Sequence, residues 1–274
     1  MSKEEYLITD TPLKALTVFA MPMILGSFFQ QVYNMADSII VGQFVGSSAL
    51  AAVGACAALT NVFICVALGA GVGAGVLVSR YFGAREYGKM KTIVSTSLIS
   101  FLVLSILLGV FGFWFSHGMM SGLQTPADIL KEAVLYLRVY FVGFPFLFMY
   151  NILSTMFTAI GESKIPLGLL IFSSILNIGM DLWMVAGLGL GVFGAALATL
   201  IAQGISAVLS FLIFFNRMRR YKSTFSWFDG RELCSMLQIA VPSVLQQSTV
   251  SIGMMIVQAV SYTHLRAHET DSYL

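Results

Sequence analysis

Charge is what this sequence has least of. Asp, Glu, Lys and Arg make up 10% of its 274 residues, against about 25% in an average soluble chain. With 58% hydrophobic residues and a mean hydropathy of +0.87, a soluble domain would aggregate. The composition therefore reads as a polytopic membrane protein. The net charge of +2 is too small an excess to point to nucleic acid. Cysteine is scarce as well. Cys56, Cys65 and Cys234 form no CxxC pair and no metal-ligand spacing, and they lie in or beside apolar runs. They read as small buried hydrophobes. A cleavable signal peptide is not expected, because residues 1–14 are polar with mixed charge and the first apolar run is too long for one. Gly69, Gly71, Gly73 and Gly75 lack the Lys-Ser/Thr that a phosphate loop needs, which leaves close helix packing as their use.

What is present is a set of long apolar runs, near 15–40, 50–80, 92–115, 132–160, 165–187, 192–215 and 233–260. Each reaches the ~20 residues that span a bilayer as a helix. They are continuous rather than alternating, which excludes a β-barrel. The expected fold is an all-α polytopic bundle of about seven transmembrane helices. Lys3, Lys14, Arg80, Arg85, Lys89, Lys91, Lys164, Arg217, Arg219, Arg220, Lys222 and Arg231 fall at the N-terminus or after even-numbered runs. The opposite loops hold only Lys131 and, just inside the fourth run, Arg138. That asymmetry places the N-terminus in the cytoplasm of a cell whose cytoplasmic membrane holds the chain. The basic stretch 216–222 reads as a topology anchor before it reads as a lipid or nucleic-acid site.

Two carboxylates break the apolar pattern. Asp37 and Asp181 lie inside the first and fifth runs. Each costs roughly 2.5–3.5 kcal/mol on insertion scales, so each is a functional-site candidate by default. Gln30, Tyr33, Asn34 and Asp37 fall at i, i+3, i+4 and i+7, one helix face. Asn151, Ser154, Thr155 and Thr158 repeat that spacing, and Asn177–Asp181 and Thr199–Gln203 are i, i+4 pairs. Interhelical hydrogen bonding accounts for most of the Ser and Thr residues. It does not account for the acids, since no Lys or Arg sits at comparable depth to pair with them. A carboxylate without a basic partner in apolar surroundings either holds a proton or waits for a cation. Carboxylate, amide and hydroxyl oxygens are also what a hard cation such as Na⁺ would use. The acids read as an ion-coupling site rather than an enzyme's. The contexts Met35-Ala36-Asp37 and Gly179-Met180-Asp181 do not fit the motifs that aspartyl intramembrane proteases resemble. Pro22, with Gly26 one turn on, predicts a kink that is either static or a bending point.

A weak internal repeat links Ala20-Met21-Pro22 and Leu25 to Ala240-Val241-Pro242 and Leu245. Six runs separate the two, so both cross the membrane in the same direction, a transporter pattern. Residues 233–260 would then begin a second six-helix half. The polar segment 261–274, with its His264-x3-His268 pair, reads as a non-native or unstructured tail rather than a metal site. The expected organisation is a cytoplasmic N-terminus (1–14), a six-helix lobe (15–215), a basic inter-lobe loop (216–232), the first helix of a second lobe (233–260) and the tail.

Several stretches together resemble one family. Gln30-Gln31-Val32-Tyr33-Asn34-Met35-Ala36-Asp37 is similar to the first helix of multidrug and toxic compound extrusion (MATE) transporters. So are Gly71-Val72-Gly73-Ala74-Gly75 with Ser79-Arg80-Tyr81-Phe82-Gly83-Ala84, and Ala159-Ile160-Gly161-Glu162-Ser163-Lys164-Ile165-Pro166. Asn177-Ile178-Gly179-Met180-Asp181 followed by Gly194-Ala195-Ala196-Leu197-Ala198-Thr199 resembles the DNA-damage-inducible branch. The resemblance implies two six-helix lobes around a cavity, of which this chain would hold the N-lobe and one helix. It implies antiport of small organic, often cationic, compounds against H⁺ or Na⁺, no other cofactor, and a monomer at full length. It puts the cation site, which Na⁺ could occupy, at Asp37, Asn177, Asp181 and Thr199. Gln30, Tyr33, Asn34 and Asn151 stand nearby, and Pro22 matches a proline linked to bending of the first helix. A lipid-linked oligosaccharide flippase of the same superfamily is the alternative, disfavoured by the lack of deep basic residues. A non-transporting scaffold would leave the acids unexplained.

Overall fold

In the computed structural model the backbone is described for residues 11–123, 125–221 and 223–271, and side chains through residue 249 except at 12, 15, 58, 124 and 222. The regular secondary structure of these residues is all helical, without a strand. In chain order the helices are α1 (Pro12–Phe44), α2 (Ser47–Gly83), α3 (Tyr87–Gly122), α4 (Leu130–Val142), α5 (Phe144–Ala159), α6 (Lys164–Asp181), α7 (Gly191–Met218) and α8 (Gly230–Asp271). A π-helical segment, Leu182–Gly187, follows α6 directly.

Among the described residues five helices are long and apolar enough to cross a bilayer, with a sixth span if α4 and α5, bent by 52°, are taken as one. The bend has a local cause. Pro145 has no N–H to donate, and its ring would meet the carbonyl four residues back, so the chain restarts at Gly143. There the N–H groups of Phe146 and Leu147 both reach the Gly143 carbonyl, at 3.0 and 3.1 Å. The seventh expected run lies in α8, most of whose second half falls outside the described side chains. The α8 backbone runs on to Asp271, past the expected end at 260. Residues 254–271 contain neither Gly nor Pro, and extending a nucleated helix needs little. The expectation of an unstructured segment therefore departs from the helix over 261–271, while 1–10 and 272–274 lie outside the described residues.

Helix α2 is the frame. Its four alternate glycines make two i, i+4 faces about 200° apart, since two residues turn a helix by about that angle. Gly71 and Gly75 meet Thr155 of α5, so a Cβ there would sit 2.9 and 2.6 Å from its side chain. Gly69 and Gly73 meet Val244 and Ala240 of α8, with the same closeness at 2.5 and 2.7 Å. Small residues at i, i+4 let helices approach to backbone contact, which is how helices associate where lipid offers no hydrophobic drive. Around this axis the core divides in two. Leu77, Ile93, Phe157, Phe214 and Met236 fill one end, and Ala67, Leu137, Phe141, Phe144 and Phe148 the other.

Candidate functional site

Helix α1 stands apart from this frame. It lies mainly along α6, with Gly26 facing Leu170. It is fastened near its C-terminal end, where Ile40 and Val41 pack with Val185, Val192 and Ala195. Near the other end the Ser163 hydroxyl donates to the Phe19 carbonyl at 3.4 Å. Between these points, Pro22 is buried and carries no amide hydrogen, so the Val18 carbonyl lacks its usual helical donor.

At the level where α1 meets α6, Asp37 and Asp181 bring their carboxyl groups within hydrogen-bonding reach of each other. Asp181 is fully buried and Asp37 partly so. One oxygen of each, Oδ1, is buried without a partner among the described residues. Asn177, one turn before Asp181, orients the pair. Only one orientation of its amide satisfies its neighbours. Nδ2 then donates to Asp181 Oδ2 at 2.8 Å, and Oδ1 accepts from the Thr199 hydroxyl at 3.3 Å and the Thr199 backbone N–H at 3.2 Å. The Tyr33 hydroxyl, one turn before Asp37, lies within hydrogen-bonding reach of the Thr199 side chain. Two carboxylates this close repel, so the arrangement is stable when a proton is shared or a cation lies between them. The orphaned Oδ1 atoms, with the amide and hydroxyl oxygens, make an all-oxygen donor set that fits a hard cation. No cluster of three or more His, Cys, Asp or Glu side chains occurs among the described residues, so the set is not a transition-metal one.

The π-helical segment starts at the residue after Asp181. It widens the backbone so that the Leu188 N–H reaches the Trp183 carbonyl five residues back, at 2.9 Å. Such segments recur at functional sites, where they redirect a helix face. The chain then turns into α7 through Gly189 and Gly191, both at positive φ (65° and 57°), which brings Thr199 back beside Asn177.

The structure thus gathers Tyr33, Asp37, Asn177, Asp181 and Thr199. It adds two residues that the sequence reading did not single out. Tyr136 of α4 lies within charge-interaction range of Asp37, beside Tyr33 and Tyr140, and the Tyr136 and Tyr140 rings stack at 6.4 Å. The signal was a tyrosine pair at i, i+4 in the fourth run, visible but less conspicuous than a charge. Other expected neighbours go elsewhere. Gln30 and Asn34 are exposed and bond locally, Gln30 Nε2 to Asn34 Oδ1 at 3.4 Å and Asn34 Nδ2 to Gln31 Oε1 at 3.3 Å. The α1 stripe is about 100° wide, with Tyr33 and Asp37 on one side of it and Gln30 and Asn34 on the other, so the first pair turns inward while the second stays outside. Asn151 donates to the Leu147 carbonyl of its own helix at 2.8 Å, with its backbone near Gly71 of α2.

Comparison with known proteins follows the same lines. Residues 22–183 match the MatE family. The chain is 28% identical over 248 residues to the probable multidrug resistance protein YpnP of Bacillus subtilis, covering 90% of this chain and 56% of that protein. It is 28% identical over 263 residues to the multidrug export protein MepA of Staphylococcus haemolyticus, covering 94% of this chain and 58% of MepA. The crystal structure of a MATE in the straight conformation superposes with a TM-score of 0.86 at 28% identity, over 96% of this chain and 59% of that one. The chain therefore spans somewhat over half the length of these relatives.

Proposed function

Because the chain belongs to the MatE family, we propose that it forms the first lobe of a cation-coupled antiporter that exports small organic, often cationic, compounds from the cytoplasm. One observation carries the proposal: the paired Asp37 and Asp181 carboxyls, each with a buried oxygen that lacks a partner among the described residues. A proton or Na⁺ bound there removes one of the two negative charges, relieves their repulsion and lets α1 and α6 close. Its release drives them apart. Helix α1 is the part free to respond, since it packs mainly along α6, on one side, and is interrupted by Pro22. Tyr33, Asn177 and Thr199 hold the acids in register, and Tyr136 closes the side toward α4. The basic end of the bundle faces the cytoplasm, in keeping with the asymmetry of Lys and Arg. The motif around Asn177–Asp181 and Gly194–Thr199 favours the DNA-damage-inducible branch.

The test is a chimera that joins residues 1–260 to the second half of a full-length relative. Efflux of a fluorescent organic cation is followed while pH and Na⁺ are varied separately. Asp37→Asn and Asp181→Asn should each lower efflux at least tenfold and flatten its ion dependence. Efflux and ion dependence that survive both changes would sink the coupling role.

A further inference from the structure

The segment joining α7 to α8 has a feature that transport does not use. It is strapped to α3 by backbone hydrogen bonds to side-chain hydroxyls. The Ser226 N–H donates to Thr92 Oγ1 at 3.1 Å, and the Asp229 N–H to Thr96 Oγ1 at 3.0 Å. The Ser95 hydroxyl, between them in sequence, donates to the Trp227 carbonyl. Gly88 of α3 leaves room for the strap, since a Cβ there would lie 2.9 Å from the Thr224 carbonyl oxygen. Thr92 is where the apolar run of α3 begins, so the strap lies at the depth where hydrocarbon gives way to headgroups.

Fixed in this way, the strap exposes three aromatic rings. Trp227 is 72% exposed, Phe228 49% and Phe225 40%. In water such a patch is unfavourable, whereas Trp belongs at a membrane interface. One cation lies against it and others flank it in sequence. Lys91 Nζ sits 5.7 Å from the centre of the Phe225 ring. Arg219, Arg220 and Arg231 are exposed nearby in sequence, and none makes an ion pair among the described residues. The acids at this end are already engaged. Glu86 pairs with Lys89 at 2.7 Å, Glu232 accepts from the Tyr81 hydroxyl at 2.8 and 3.0 Å, and Asp229 accepts from the Arg231 N–H at 2.8 Å.

We propose that the 225–228 strap is an interfacial anchor whose aromatic rings enter the membrane surface while Lys91, Arg219 and Arg220 bind the phosphates of anionic phospholipids. Apolar rings beside unpaired cations match a lipid that has both an acyl chain and an anionic headgroup. The anchor rests on the membrane reading alone, so it stands or falls independently of cation coupling.

The chain has three tryptophans, so W114F/W183F leaves Trp227 as the sole reporter. The complete chain is reconstituted in nanodiscs with phosphatidylcholine or phosphatidylglycerol brominated at a shallow acyl position. Trp227 emission should be quenched by both, and by the anionic lipid at least threefold more strongly at equal mole fraction. K91Q/R219Q/R220Q should abolish that preference, since each basic residue near a surface is worth about fivefold in anionic-lipid affinity. If W114F/W183F fails to fold, W227F in the otherwise unaltered chain should remove the shallow-quenched part of the emission. Trp227 emission untouched by brominated lipid, or quenched equally by both lipids, would overturn the proposal.

Discussion

Helices α1 and α2 are neighbours of similar length with opposite roles. In the spanning stretch of α2, 56% is buried inside the protein, whereas in α1 only 6% is. Helix α2 has glycines on two faces and backbone contact with α5 and α8. Helix α1 has a proline, packing mainly along α6 and one acid. Small-residue faces give close, rigid packing, because any displacement of two backbones in contact meets hard repulsion. A helix touched along one side pays little to move. The protein thus sets a closely packed frame beside a more exposed helix, and the two buried acids lie where that helix meets α6.

Four changes probe that division, from the largest effect downward. Gly73→Leu should be the most damaging, because its side chain must displace the Met236 carbonyl and the Ala240 Cβ, each 2.7 Å from where a Cβ would sit. A loss of about 3 kcal/mol or more is expected, as for overpacking, read as a fall in thermal midpoint in detergent. Asp37→Asn should invert the pattern. It removes at least tenfold of the efflux of the chimera, equivalent to about 1.4 kcal/mol, yet leaves the thermal midpoint unchanged or raised, because it removes a repulsion. A clear drop in midpoint would show that α1 belongs to the frame. Asn177→Ala should be milder, about 1 kcal/mol, read as a several-fold weaker dependence of efflux on the coupling ion, since Asp181 loses one of its hydrogen-bond donors. Pro22→Ala should be the smallest in stability, within about 1 kcal/mol. It restores a donor for the Val18 carbonyl, so amide exchange around residues 18–22 should slow. Unchanged exchange would mean that the proline does not soften α1.

Much of this was legible beforehand. The acids were conspicuous because charge in a hydrophobic run is expensive, and the glycine run announced close packing by spacing alone. Which glycines face which helix was not legible, since Gly69 and Gly71 look equivalent until α5 and α8 are in place. The π-helical segment after Asp181 was also hidden, for Leu182–Gly187 reads as an ordinary apolar stretch. So was the split of the α1 stripe, because a 3.6-residue period gives a face but not where its edge falls.

By itself the sequence determined that the chain is a bundle of membrane helices, where each run lies, and that two acids are held at a cost. Those properties follow from run length and transfer free energy, which depend on local composition. The tertiary structure decided how Asp37 comes to meet Asp181 and that Tyr136 lies beside Asp37. Meeting depends on how α1 is rotated against α6 and how a π-helical turn and two positive-φ glycines bring α7 back, and rotation and return are properties of the packed helices together.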